Sequence, residues 1–288
     1  MNILIYGIVN SVIFALISVG FTLVYGVSRL PNFAHGGLYI LTGFITWVFF
    51  NSLGLNYALA ILLSLIVTAL LGALIYRFIL IRVRGMEASE IIATFAIGLA
   101  IMEGLRWGGF AGQTYTIPVF VDRVVNIGGV PIDFQRLIII GVGLVVVAFL
   151  WLFTHYTKVG LALRAIAQDE RAAMMLGIDS DQTAIISLAL GSALAGLAAV
   201  AILPLGSITV ETGYNVLVYA IAVCIIGGLG SWPGAVMGAF ALGFAQILTV
   251  QFIGPQWQMV VVFLAIIIML IVRPSGLFGK QKELEERV

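Results

Sequence analysis

The sequence predicts an all-α fold, a polytopic transmembrane helix bundle of about eight or nine spans with a cytoplasmic coupling helix, and three observations lead there. Hydrophobic side chains make up 62% of the 288 residues and charged ones only 9%. Soluble domains run at roughly a quarter charged, so no water-facing surface can be built from this balance. Apolar stretches of about 20 residues, long enough to cross about 30 Å of hydrocarbon, recur along the chain between short polar interruptions. The runs at 59–71, 138–152 and 260–272 are continuous and not alternating. That suits helices, which satisfy their own backbone, and not the strands of a closed barrel.

Spans are expected at 3–25, 36–51, 57–79, 89–107, 137–154, 183–203, 213–229, 235–252 and 256–272. The first is longer than a signal-peptide core and lacks a basic n-region and a small-residue cleavage site, so it is expected to be retained. A competing count of eight arises at Gly227-Gly228-Leu229-Gly230-Ser231-Trp232-Pro233-Gly234. There Gly and Pro can break the backbone into two half-helices that dip in from one face. The whole chain, 1–288, is expected to form a single transmembrane domain, including a cytoplasmic segment at 158–181 and a short cytoplasmic tail at 273–288.

Basic residues orient the chain. With nine spans, one face collects Arg29, Arg77, Arg82, Arg84, Lys158, Arg164, Arg171, Arg273, Lys280, Lys282 and Arg287, against Arg106, Arg123 and Arg136 on the other. This eleven-to-three split puts the carboxy terminus in the cytoplasm and the amino terminus outside. It also sends the loop at 108–135, rich in Gly and β-formers, to the outer side. The net charge of +1 and the scattered basic residues offer no nucleic-acid surface. Cys224 is the one cysteine and allows no disulfide within the chain.

Two segments break the hydrophobic monotony. In 158–179, Ala and Leu favour helix, Leu163, Ile166 and Ala167 recur at helical spacing, and Gly177 is placed to stop the helix after Leu176. A short amphipathic helix on the inner membrane surface is expected. Its apolar face can enter a groove on a cytoplasmic partner, with Arg164, Gln168, Asp169 and Arg171 at the rim, or it can rest on lipid headgroups.

This segment resembles the cytoplasmic coupling segment of permease subunits of ATP-binding-cassette importers of the branched-chain amino acid family. The matching residues are Thr157, Gly160, Ala162, Arg164, Ala165, Asp169, Ala172, Ala173, Gly177 and Ile178. Two further elements are similar to the same family in the same order. One is Gly26 followed by Asn32-Phe33-Ala34-His35-Gly36, and the other is Gly227 to Ala235. Leu30 and Pro31 depart from the family's usual apolar β-branched pair. The resemblance implies a prokaryotic inner-membrane importer that moves branched-chain or other apolar amino acids by alternating access. It also implies a second permease subunit, two cytoplasmic ATPase subunits and an external solute-binding protein, with Gly160, Arg164, Ala165, Asp169, Ala172 and Gly177 coupling to the ATPase. Relatives of similar design carry urea or short amides. The sequence holds no G-x-x-x-x-G-K-[ST] phosphate loop, so hydrolysis is expected on a partner.

Polar residues within the spans are candidates for a solute path: Asn10, Thr94, Tyr219 and Gln246, with Asn32 and His35 near the cytoplasmic end. Each has a competing role in bonding neighbouring helices, and Asn32 in capping the second span. Glu103 and Arg106 suit a local ion pair, and Glu211 and Asn215 stand near the outer mouth. No catalytic set, cofactor motif or metal-ligand cluster is present in the sequence. The scarcity of central Asp, Glu and His argues against an ion-coupled secondary transporter. Gly191, Ala195 and Ala199, and Gly234 and Gly238, recur every four residues and predict close helix packing.

Overall fold

The computed structural model describes residues 2–110, 115–127 and 129–279, and each expected span finds a helix. α1 (Asn2–Ser28) is followed by α2 (His35–Trp47), which ends in a π-helical turn (Val48–Ser52). α3 (Tyr57–Ile75) runs through a second π turn (Tyr76–Leu80) into the short α4 (Ile81–Val83). α5 (Glu87–Leu105) closes with a third (Arg106–Phe110). An antiparallel hairpin follows, β1 (Val124–Ile127) with β2 (Val130–Asp133), in the register Val124↔Asp133 to Ile127↔Val130. This hairpin falls in the loop whose β-formers stood out, and it leaves the all-α class unchanged.

The second half holds α6 (Phe134–Tyr156), α7 (Lys158–Gln168), α8 (Glu170–Met175), α9 (Ser180–Ile202), α10 (Thr212–Gly227), α11 (Trp232–Phe252) and α12 (Gln258–Val272). Among the described residues, seven helices are long and apolar enough to cross a bilayer. α10 is shorter, at 16 residues. α2 is built differently: His35, Gly36, Gly37, Leu38, Thr42 and Thr46 are all buried by other helices, so it needs no lipid-facing belt of large apolar residues.

The helix ends gather at two faces. At one, Arg106 pairs with Glu211, Tyr115 bridges Ile208, and the Tyr6 hydroxyl donates to Pro131 O. At the other, Arg29 reaches Ala167, Arg84 reaches Glu170 and Asp181, and Gly228 packs on Gly276. The basic residues sort between these faces as the nine-span reading expects, except that Lys280, Lys282 and Arg287 lie outside the described residues, as do 111–114 and 128 of the loop after α5.

α3 shows how such a bundle holds. Ala60, Ser64, Thr68 and Gly72 are buried, whereas Leu62, Ile66, Leu70 and Leu74 point outward. Small residues face neighbours because lipid tails solvate Leu as well as another helix does, so close backbone approach and hydrogen bonds must supply the attraction. Thr42 and Thr68 share a hydrogen bond of 2.8 Å, and Thr46 donates to Ser64 Oγ at 2.8 Å. A Cβ added at Gly72 would stand 2.8 Å from Leu188 O. The predicted small-residue row behaves the same way: Gly191 packs on the Gly20 backbone, Ala195 and Ala199 are fully buried, and Gly238 meets Val223 O.

Gly72→Leu is expected to wedge α3 from α9 and destabilise the bundle by about 1–3 kcal/mol. Thr68→Val costs about 0.6 kcal/mol, and Ile66→Leu on the outward face has no measurable effect. Thermal unfolding in detergent with a tryptophan readout checks the ranking.

Candidate functional site

The polar excursion at 158–179 is two helices, not one. Thr157 opens α7: its Oγ1 accepts from Gly160 N at 3.0 Å and donates to Phe153 O at 2.6 Å. Gly160 is set against the end of α6, where a Cβ would stand 2.5 Å from Thr154 Cα, so this glycine permits a tight elbow. Asp169 breaks the helix with φ −155° and caps α8, its Oδ1 accepting from Ala172 N at 2.9 Å. Gly177, at φ +86°, ends α8 as expected. The bonds from Ile178 N to Ala173 O (3.1 Å) and from Gly177 N to Met174 O (2.9 Å) make the paired closure typical of a glycine C-cap. Asp179 then caps α9 through Gln182 N at 3.0 Å.

The expected docking face is reversed. Leu163, Ile166 and Ala173 are buried in a cluster with Val24, Val27, Tyr76, Leu80, Ala184 and Leu188 of the bundle itself, so the apolar stripe anchors the segment and offers nothing to a groove. Burying it there takes these apolar side chains out of water. What remains outward includes Arg164, Gln168, Asp169, Arg171 and Ala172 together with Leu161, Met174, Met175, Leu176 and Gly177. Met175 is 88% and Leu176 83% exposed, an apolar tip that the helical-period reading passed over. The signal was present as three consecutive apolar residues ahead of a glycine stop. Ala165 is half-buried.

Two arginines tie the segment to the bundle. Arg29, in the left-handed region at φ 59°, donates to Ala167 O near the end of α7. Arg84 pairs with both Glu170 and Asp181 and donates to Ser180 Oγ at 2.5 Å, while Ser180 donates to Glu170 at 2.6 Å and the Tyr76 hydroxyl to Asp181 at 3.3 Å.

The six path candidates do not line one route: two share a cleft, two join a pair of helices, and two stand apart. Asn32 and Thr94 share a cleft between α1, the end of α3, α5 and α9, lined also by Ser28, Tyr76, Glu90 and Ser187. Asn32 Oδ1 accepts from Ala34 N at 3.1 Å, and Thr94 donates to Ile91 O at 3.0 Å. His35 is not at the end of the bundle. It is buried beside the middle of α1, with Nε2 2.9 Å from Ile17 O and its ring edge-on to Phe21. Asn10 donates to Gln246 Oε1 and Gly243 O, both at 3.4 Å, joining α1 to α11, while Gln246 Nε2 is buried without a partner. Tyr219 packs on Phe14 with ring centroids 4.9 Å apart. At the other face Arg106 contacts Glu103 at 2.5 Å and Glu211 at 2.9 Å, so the expected local pair extends to the start of α10. Backbone hydrogen bonding and the Arg106 guanidinium hold the Glu211 carboxyl below the ordinary carboxylate range.

Apolar helices crossing from face to face, small polar residues turned inward and a self-capped polar elbow at one face define a multi-pass membrane protein of the permease type. The family described as branched-chain amino acid transport system / permease component matches residues 3–271, and the chain belongs to that family. It is 31% identical to the high-affinity branched-chain amino acid transport system permease protein BraD of Pseudomonas aeruginosa over 96% of this chain and 95% of that one. It is 30% identical to LivH of Escherichia coli, of the same description, over 93% and 91%. The solved PsaBC of Streptococcus pneumoniae in complex with Fab aligns with all of this chain and 96% of its own at a TM-score of 0.53 and 13% identity, a likeness of fold.

Asp169→Ala is expected to cost α8 about 1 kcal/mol through the lost cap, and Asp169→Asn to leave it intact; hydrogen exchange at 170–175 reads the difference. Because the folded carboxyl of Glu211 titrates low, the stability it adds is present above its unfolded value of about 4.3 and disappears as pH falls through the folded value. A spin label at Thr209→Cys should therefore loosen on acidification, and Glu211→Gln should be loose at every pH.

Proposed function

We propose that this chain is one of two permease subunits of an ATP-binding-cassette importer that carries branched-chain or other apolar amino acids inward. The importer has two cytoplasmic ATPase subunits, α7 and α8 are this chain's seat for an ATPase, and an external binding protein delivers solute to the opposite face. Family membership and relatives named for branched-chain amino acid transport support the cargo. The observation that carries the coupling role is the exposed tip of Met174, Met175 and Leu176 on a segment whose other face is anchored in the bundle. Large apolar groups held rigidly in water mark a partner's site.

On this reading the face bearing Arg29, Arg84, Lys158 and Arg164 is cytoplasmic, the amino terminus is outside, and the membrane is the prokaryotic inner membrane. The coupling set is Gly160 and Asp169 as shapers of the elbow, Arg164, Ala172 and Gly177 as contacts, and Ala165 behind them. Of the path residues, Asn32 and Thr94 belong to the route and His35, Asn10, Gln246 and Tyr219 to helix joining. Nucleotide hydrolysis resides on the ATPases, and the spans alternate between outward-open and inward-open arrangements.

Affinity purification in mild detergent tests this. The tagged chain is expected to bring a second permease and cassette ATPases, and Met175→Asp with Leu176→Asp to release the ATPases while the permease pair stays together. An ATPase-free chain that still moves leucine in vesicles would overturn the reading. Gly177→Cys should be labelled by an impermeant maleimide only after cells are opened, and Trp107→Cys in intact spheroplasts.

A further inference from the structure

The coupling reading leaves open how displacement of α8 reaches the membrane helices. Arg84 sits in the turn between α4 and α5, with extended backbone, next to Gly85 at φ +84°. That turn is fastened to α5, since Gly85 N donates to Glu90 Oε1 at 2.7 Å. From it the guanidinium grips Glu170, the first residue of α8, and both Ser180 and Asp181 of the first turn of α9. Ser180 closes the loop by donating to Glu170 at 2.6 Å, and Tyr76, in the π turn after α3, donates to Asp181 at 3.3 Å. Arg84 therefore joins its own turn to α8 and α9, and Asp181 extends the network to the π turn after α3.

That π turn, α9 and α5 also wall the cleft that holds Asn32 and Thr94, together with the end of α1, and α8 reaches the cleft only through Arg84 and Ser180. Tyr76 and Leu80 come from the π turn after α3, Glu90 and Thr94 from α5, and Ala184 and Ser187 from α9. We infer that Arg84 is a positioning residue that makes the coupling segment and the walls of this cleft move together, so that displacement of α8 sets the width of the cleft. Its worth lies in geometry. The three side chains are a third to nearly half exposed (34%, 44% and 42%), where a single ion pair adds little to stability. A planar fork with two carboxylates and a hydroxyl in place nevertheless fixes direction, and lysine, a point charge, cannot hold all three at once.

This inference rests on the importer reading, and the two fail differently. The test uses the complete complex with its ATPases, partner permease and binding protein in proteoliposomes, measuring leucine uptake and ATP hydrolysis together. Arg84→Gln is expected to retain bound ATPase and hydrolysis within about twofold while uptake per ATP falls about tenfold, with Arg84→Lys between. Glu170→Gln with Asp181→Asn should show the same pattern from the other side of the network. Spin labels at Arg82→Cys and Gln182→Cys should keep one separation through the ATP cycle in the parent and spread apart in the Arg84→Gln background. Unchanged uptake per ATP in both variants overturns the inference, as does a parallel fall of hydrolysis and uptake, which marks a merely structural role. A parent complex that moves leucine with no ATPase attached overturns the importer reading itself, and does so before any variant is made.

Discussion

In hydrocarbon, packing leucine against leucine gains little over leaving each in lipid, while every backbone amide must still find a partner. Those two constraints arrange this protein. Helices supply the backbone bonds, and attraction between helices then comes from places where side chains are small enough for backbones to meet or polar enough to bond across. The Thr42–Thr68 and Thr46–Ser64 bonds, and the approach of Gly72 to Leu188 and of Gly191 to Gly20, are such places. They link α2 to α3, α3 to α9 and α9 to α1. α2 ends up enclosed, which is why it can carry His35, Gly36 and Gly37 at its start.

The same economy shapes the water-facing segment. α7 and α8 are short, and a short helix is marginal alone. Thr157, Asp169 and Gly177 cap their ends, and Leu163, Ile166 and Ala173 fasten them to the bundle. With its apolar face committed, the segment is fixed to the bundle and still presents an apolar tip. A segment that laid the same face into a partner's groove would have nothing left to hold it in the partner's absence.

How much of this was legible in the sequence follows from the range of each interaction. The spans were readable because length and hydropathy are local, and Gly177 as a stop because a glycine after Leu176 is a local signal. The break at Asp169 was hidden by the helix-favouring Ala and Leu around it, although an aspartate three residues before Ala172 is a capping pattern in retrospect. The direction of the α7 face was unreadable, since periodicity reveals that a stripe exists and not what covers it. Arg84, Glu170 and Asp181 are about ninety residues apart in pairs with Arg84 and looked like loop charges. Asn32 and Thr94 meet for the same long-range reason, whereas Asn10 and Gln246, chosen by the same rule, join helices.

The central claim is that solute movement through this chain is driven by ATPases acting on α7 and α8. Uptake of radiolabelled leucine into proteoliposomes holding the complete complex, with ATP or a non-hydrolysable analogue supplied on the side facing α8, tests it most directly. Accumulation against a gradient is expected with ATP, and none with the analogue. Accumulation that follows an imposed proton or sodium gradient and ignores ATP would contradict it.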